Sequence, residues 1–188
     1  MARAATETEV KLRVADKDVT LGRIAAIGFR VSKPREFESN TLYDTPARSL
    51  LESGTLLRLR QAGNRGIITW KGKSIPGPHK SRPEIETEIG SVDDMARLLC
   101  QLGYEPAFRY DKYRTEFKDG DGDGTIVFDE TPIGFYLELE GPAEWIDETA
   151  SKLGFSAADY ELKSYGSLYR DYCTEHGLQT TGMVFSSP

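Results

Sequence analysis

Several short stretches of this chain set like-charged side chains two residues apart. Glu7 and Glu9, Glu84 and Glu86, and Glu138 and Glu140 are carboxylate pairs; Arg58 with Arg60 and Lys112 with Arg114 are cationic ones, and Lys71 stands close by in sequence to a tryptophan. On a β-strand, residues two apart project from the same face. A row of Arg and Lys side chains can bind several phosphoryl groups at once, Arg through a planar fork and Lys as a point charge. Paired carboxylates repel each other unless a divalent cation sits between them, and oxygen-only ligation favours Mg2+ or Mn2+. A cationic cage facing metal-binding carboxylates is an arrangement for phosphoryl or nucleotidyl transfer. With only two histidines, His79 and His176, any chemistry must rest on carboxylates, lysines, arginines or metals.

The elements that carry these residues are strands. Thr6–Val14, Thr55–Gln61, Ile67–Gly72, Glu84–Ile89, Phe108–Phe117, Thr125–Asp129 and Phe135–Glu140 alternate, with a further strand expected around Asn40–Tyr43 inside a turn-rich stretch, 32–54. Helices are expected over Asp16–Phe29, with Val19, Ile24 and Ile27 inward; after Ser91, whose Asp94 three residues on suggests a capping box; over Pro142–Leu153; and over Tyr165–Thr174. The stripe of the second helix is Met95, Leu98, Leu99 and Leu102. Lys73–Pro83 reads as a mobile loop, residues 1–5 as a loose start, and the tail after Gly177 as frayed. The fold class is α+β, one domain with its core over about 6–172, antiparallel strands and helices packed outside.

One face of strand after strand is charged and the other apolar. An ordinary antiparallel sheet with its polar face in water alternates the same way. The charges, however, sort by strand, and the apolar faces carry Trp70, Tyr113 and Phe128, which suit cover by helices. If the helices cover the apolar side, the charged faces must line the inside of a closed barrel, a binding tunnel rather than a packed core.

Composition sets the outer bounds. The chain has 188 residues, 38% hydrophobic and 29% charged, enough for a core and unlike a disordered chain. The net charge of −6 argues against a nucleic-acid binder but allows a local cationic cluster for a small polyanion. No apolar run is long enough to span a membrane and no secretory signal opens the chain, so a cytoplasmic protein is expected. Cys100 and Cys173 are expected to be reduced and buried.

Glu7-Thr8-Glu9-Val10-Lys11 matches the ExExK signature of the CYTH superfamily, the triphosphate tunnel enzymes, and further segments follow in the family's order. Tyr43-Asp44-Thr45-Pro46 resembles its YDTP segment, Leu57-Arg58-Leu59-Arg60 its LRxR strand, and Thr69-Trp70-Lys71-Gly72 its TxKG strand. Arg82 to Glu86 resembles R-x-E-x-E, Lys112-Tyr113-Arg114 resembles KxR, and Phe128-Asp129 resembles the acidic position. Glu138-Leu139-Glu140 resembles the ExE strand and Lys163-Ser164-Tyr165 the closing basic segment. The resemblance implies eight antiparallel strands closed as a tunnel and Mg2+- or Mn2+-dependent chemistry on a triphosphate. It implies that Lys11, Arg58, Arg60, Lys71, Lys112, Arg114 and Lys163 hold phosphates. Glu7, Glu9, Asp129, Glu138 and Glu140 would ligate metal or orient the nucleophile, with Glu84 and Glu86 completing the acidic side. Catalysis is then expected of Glu7, Glu9, Glu138 and Lys112.

Family members include class IV adenylyl cyclases, thiamine triphosphatases and inorganic tripolyphosphatases, so the implied substrate is ATP, thiamine triphosphate or tripolyphosphate, taken by a monomer or homodimer. Leu102-Gly103-Tyr104 with Pro106-Ala107-Phe108 looks like a segment of the bacterial cyclases. The His-Phe pair that precedes ExExK in some cyclases is absent, and Arg58, Arg60 and Lys163 form the basic set of the hydrolases. The cyclase is the first expectation, the hydrolase the second, and a non-catalytic polyphosphate or nucleotide sensor the third. Asp119 to Glu130 fits the pattern of an EF-hand loop, but strand alternation before it and Thr131-Pro132-Ile133-Gly134 after it deny the flanking helices. Lys71-Gly72-Lys73-Ser74 lacks the earlier glycine of a P-loop.

Overall fold

A computed structural model describes residues 5–120 and 122–186. Residues 1–4 of the expected loose start, Asp121 of the Asp119–Gly124 turn, and the last two residues of the expected frayed tail lie outside the described residues. The strands are β1 (Ala5–Val14), β2 (Arg30–Asp44), β3 (Leu56–Ala62), β4 (Arg65–Lys71), β5 (Lys80–Ile89), β6 (Glu105–Lys118), β7 (Thr125–Thr131) and β8 (Gly134–Glu140). The helices are α1 (Lys17–Ala26), α2 (Ser49–Ser53), α3 (Val92–Gln101), α4 (Ala143–Lys152) and α5 (Tyr165–His176). The strands close as a barrel in the order β1-β5-β4-β3-β2-β6-β7-β8, and each neighbouring pair is antiparallel.

The apolar core lies outside the barrel. Val10, Leu12 and Val14 of β1, Ile126 and Phe128 of β7, and Leu137 and Leu139 of β8 pack against Ile24 of α1, Ile146 and Ala150 of α4, and Leu153 just after α4. Burying such side chains contributes about 1.5–3 kcal/mol each. Two smaller clusters repeat the plan. Leu99, Val92 and Met95 of α3 cover Tyr43 and Leu59, while Tyr165, Leu168 and Tyr169 of α5 cover Tyr110 and Tyr136. With their apolar faces turned out to the helices, the strands have only their charged faces left to present inward.

Local chemistry sets the helix starts. The Asp16 side chain accepts from Val19 N at 2.9 Å, and Ser91 Oγ accepts from Asp94 N at 3.1 Å, each satisfying an amide that has no intrahelical partner. Gly124, at the end of the Asp119–Gly124 turn, is needed for packing: a Cβ there would overlap the Trp145 ring, which also lies 6.2 Å from the ring of Phe29.

Several expectations are corrected. The stretch read as turn-rich is mostly β2, a strand of 15 residues. Its register against β6 shifts between Val31 and Lys33, Lys33 and Glu36, and Leu42 and Tyr43. Such bulges, with Pro34 inside the strand, break the alternation that marks a regular strand. The 73–83 loop is shorter and tied down: β5 begins at Lys80, Ile75 N donates to Ser81 O at 2.7 Å, and His79 Nε2 lies 2.8 Å from Asp147 Oδ1. Residues 177–186 do not simply fray; Met183 is fully buried and adds backbone bonds to the free edge of β6, Met183 N to Arg109 O at 3.0 Å and Asp111 N to Met183 O at 2.8 Å. Val19, Leu98, Leu102 and Cys100 are exposed rather than inward. Trp70 is also exposed, and Tyr113 packs against Phe37 and Arg35 rather than under a helix. Among the described residues, no helix is long and apolar enough to cross a membrane.

Candidate active site

Barrel closure sorts the charges by side. β8, β1 and β5 are contiguous, so the pairs Glu138/Glu140, Glu7/Glu9 and Glu84/Glu86, far apart in sequence, become one acidic arc. β4, β3, β2 and β6 form the facing arc, which brings Lys71, Arg58, Arg60, Lys112 and Arg114 together. All of these side chains line one cavity of about 270 Å3 inside the barrel.

The cations are held in place before any ligand arrives. Lys112, only 1% exposed, sets its Nζ 2.8 Å from Asp129 Oδ2 and 3.6 Å from Glu38 Oε2. Arg114 reaches Asp129 with two nitrogens and also contacts Glu138. Tyr165 Oη donates to Asp129 Oδ2 at 2.7 Å, and its ring lies 5.3 Å from both Lys11 Nζ and Lys112 Nζ. Lys11 bridges Glu9 and Glu138 at 3.0 Å each. Lys71 binds Glu84 at 2.8 Å and also contacts Glu7. Arg58 donates to Glu86 at 3.3 Å and Arg60 to Glu38 at 3.2 Å. The Nε–H groups of Arg58, Arg60 and Arg82 find no acceptor among the described residues. Each is buried, so leaving it without an acceptor carries a desolvation cost.

Electrostatics divide the carboxylates into two kinds. Burial opposes ionisation of Glu138, but Lys11, Arg114 and Lys112 outweigh it and hold its carboxyl well below the usual range. Glu38 behaves alike, held down at about 2 by Lys112, Arg114 and Arg60 against burial. Glu140 goes the other way: burial and the carboxylates of Glu138, Glu7 and Glu9 push it up to about 8 despite Arg114. Burial and a hydrogen bond with Glu7 likewise raise Glu84 to about 7. Glu7, Glu9 and Glu140 each offer one oxygen, all within 4.8 Å of one another. That cluster of mutually repelling hard oxygen donors fits a divalent cation of the Mg2+ or Mn2+ type.

Most of the residues singled out by pattern meet in this cavity; two do not. Lys163 lies outside it, its side chain more than half exposed and its Nζ 2.9 Å from Asp171. Ser164 caps α5, its Oγ accepting from Ser167 N, and Lys163 falls just before that cap, two residues after Glu161 bridges to Lys11 of β1. Asp129 is fully buried behind Lys112, Arg114 and Tyr165, so its oxygens are occupied as an anchor for cations and do not join the Glu7, Glu9 and Glu140 cluster. Conversely, Glu38, Lys80 and Tyr110 line the cavity without having been singled out, as do Arg82 and Tyr165, which were noted in motif segments but given no role. Lys80 and Arg82 continue the two-residue period of Glu84 and Glu86 backwards, a signal hidden by the Gly and Pro residues just upstream. Glu38 lies in the regular stretch Glu36–Leu42, between the register shifts that hid β2 as a strand.

Similarity to known proteins agrees with this geometry. Adenylate cyclase CyaB from Aeromonas hydrophila is 28% identical over 177 residues, 86% of this chain and 87% of that one. The PH1819 protein from Pyrococcus horikoshii OT3 superposes with a TM-score of 0.72 at 26% identity, covering 88% of this chain and 99% of that one. HpAC1 from Hippeastrum, described as having a dominant triphosphatase activity, shares the fold with a TM-score of 0.63 at 17% identity, over 88% of this chain and 96% of that one. The family model described as the CYTH domain matches residues 5–165. That match takes in every strand of the barrel and ends on Tyr165, the ring between the two tunnel lysines: the chain belongs to the CYTH domain family.

Proposed function

We propose that this protein is a divalent-metal-dependent enzyme that acts on a triphosphate inside the barrel, and that its reaction is the conversion of ATP to cyclic AMP and pyrophosphate. The observation that carries this reading is the facing of a cationic arc and an acidic arc across one cavity inside the barrel. Arg58, Arg60, Lys71, Lys112 and Arg114 bind phosphoryl oxygens of the substrate in exchange for internal carboxylate partners. Asp129 and Tyr165 fix Lys112 and Arg114 beforehand, so these donors need little reorganisation as charge develops on the leaving pyrophosphate. Glu7, Glu9 and Glu140 would hold Mg2+ or Mn2+, which supplies Lewis-acid polarisation and charge neutralisation on the phosphate oxygens. In that reaction the ribose 3′-hydroxyl attacks the α-phosphorus and pyrophosphate leaves.

The name of CyaB, similar over most of both chains, supports the cyclase reading. So does the position of Lys163: the basic set that resembled the hydrolases is incomplete inside the tunnel. The test is to incubate the protein with ATP, tripolyphosphate or thiamine triphosphate, each with Mg2+ or Mn2+. Cyclic AMP and pyrophosphate from ATP are expected. Release of orthophosphate instead would make the protein a triphosphatase, and binding without turnover would make it a non-catalytic module.

A further inference from the structure

The connection from β4 to β5 has few ties of its own. Residues 73–78, which include Pro76, Gly77 and Pro78, are all exposed, and His79 is the first buried side chain after them. His79 turns out of the barrel towards α4, while Lys80, the first residue of β5, turns into the tunnel. Outside, the imidazole is clasped from two directions. Its Nε2 lies 2.8 Å from Asp147 Oδ1 of α4, and its ring centroid lies 5.7 Å from that of Tyr160. Tyr160 Oη donates to the same Asp147 oxygen at 2.7 Å, and the next residue, Glu161, exchanges two backbone bonds with Lys11 of β1, at 2.8 and 3.1 Å. His79 and Tyr160 hold the Asp147 carboxyl below its usual range, so the carboxylate accepts and Nε2–H donates. Inside, Lys80 shares its acceptor. Its Nζ and that of Lys11 both lie 3.0 Å from one oxygen, Glu9 Oε1, and two ammoniums on one oxygen repel each other. Lys80 also holds the last register position of the β1–β5 ladder, opposite Glu9, where a strand end frays unless something ties it. The bond from Ile75 N to Ser81 O ties the residue after Lys80; His79 ties the residue before it.

We propose that His79 is a positioning residue for triphosphate binding: by latching the β4–β5 connection to Asp147 of α4, it holds Lys80 at the tunnel wall, where the ammonium meets a phosphoryl group. The inference rests on the tunnel being a triphosphate site and adds a control on that site from outside the barrel. His79 does not line the tunnel cavity, so its effect on the ligand passes through Lys80. Pinning the backbone beside a long, rotamer-rich lysine removes freedom that the ligand would otherwise have to remove on binding. A histidine that only filled space between the loop and α4 would affect stability and treat the tunnel alike whether or not Lys80 were present.

A double-mutant cycle on the full chain, read by titration calorimetry with tripolyphosphate in excess chelator, where metal-dependent turnover stops, tests the proposal. Lys80→Ala is expected to weaken binding about tenfold, and His79→Ala about fivefold. In the Lys80→Ala background, His79→Ala is expected to change binding by less than about 1.5-fold, because the residue it positions is gone. His79→Gln, whose side-chain amide offers a donor where Nε2 stood, is expected to stay within about twofold of wild type. The Asp147 side chain is more than half exposed, so Asp147→Ala removes the same bond without opening space under the imidazole. It is expected to repeat the loss of about fivefold and its dependence on Lys80, and it keeps the cycle readable if His79→Ala fails to fold. Equal losses with and without Lys80 would make the latch merely structural and overturn the proposal. So would no loss from either latch variant, a Gln variant as weak as the Ala variant, or Lys80→Ala binding like wild type; each of these leaves the tunnel reading in place. Wild-type protein that does not bind tripolyphosphate would overturn both.

Discussion

Arg114 and Asp129 form a two-pronged ion pair inside the barrel: Nε donates to Oδ1 at 2.8 Å and Nη2 to Oδ2 at 2.7 Å. The same carboxylate receives Lys112 Nζ and Tyr165 Oη, so one buried anion orders two cations and a phenol. Removing its charge leaves those cations buried and short of a partner. Asp129→Asn is therefore expected to lower stability by about 3 kcal/mol in urea unfolding. Added tripolyphosphate, by returning negative charge to Lys112 and Arg114, is expected to recover part of that loss. Mn2+ affinity should be little changed, because Asp129 does not belong to the Glu7, Glu9 and Glu140 cluster; a large loss of Mn2+ binding would return Asp129 to the metal-ligand role.

Glu140 gives the opposite profile. It stands among like charges, with Glu9 as its Cα partner across β1 and β8, so Glu140→Gln relieves repulsion and is expected to leave the unfolding midpoint equal or higher. Loss of a residue that orients a metal ligand already costs about 10–100-fold in affinity, so loss of the ligand itself should cost at least about 100-fold. Mn2+ titration followed by electron paramagnetic resonance, alongside turnover, checks both halves.

Lys80 and Lys163 separate the tunnel from its surroundings. Lys80 Nζ lies 3.0 Å from Glu9 inside the cavity, whereas Lys163 pairs with Asp171 outside. Lys80→Ala is expected to raise the KM for the triphosphate about tenfold, and Lys163→Ala to leave it within about twofold. Steady-state kinetics on the two variants, side by side, decides the point; equal effects would mean that Lys163 reaches the substrate.

Asp44 resembles a motif residue, yet its carboxylate serves the backbone. It accepts from the N–H groups of Leu50 and Leu51 in α2 and of Thr45. Burial opposes its charge, but those three bonds and Arg48 hold its carboxyl below the ordinary 3.8. A depressed carboxyl contributes stability that is complete above the unfolded-state value and lost as pH falls through the folded-state one. Asp44→Ala is expected to cost about 1–2 kcal/mol at pH 7. The stability difference between wild type and Asp44→Asn should be constant from neutral pH down to about 5 and shrink below 3.8, as followed by urea melts at stepped pH.

The amino-acid sequence alone determined which side chains share a face. A two-residue period is a property of the extended backbone, so Glu7 with Glu9, Arg58 with Arg60, and Glu138 with Glu140 were legible as pairs, and the helix starts at Asp16 and Ser91 were legible from the need to cap free amides. The bulges on either side of Glu36–Leu42, with Pro34, broke up β2 as a recognisable strand, so Glu38 was not legible. The order of strands around the barrel was decided only by tertiary structure, because that order depends on which edges meet at closure. Closure makes neighbours of β8, β1 and β5, so three distant carboxylate pairs become one arc. It also sets Asp129 behind Lys112 rather than beside Glu9, leaves Lys163 outside the wall, and folds the segment around Met183 onto β6. Periodicity encodes the face a residue takes, whereas the charge that faces it across the tunnel is a long-range contact that local spacing does not encode.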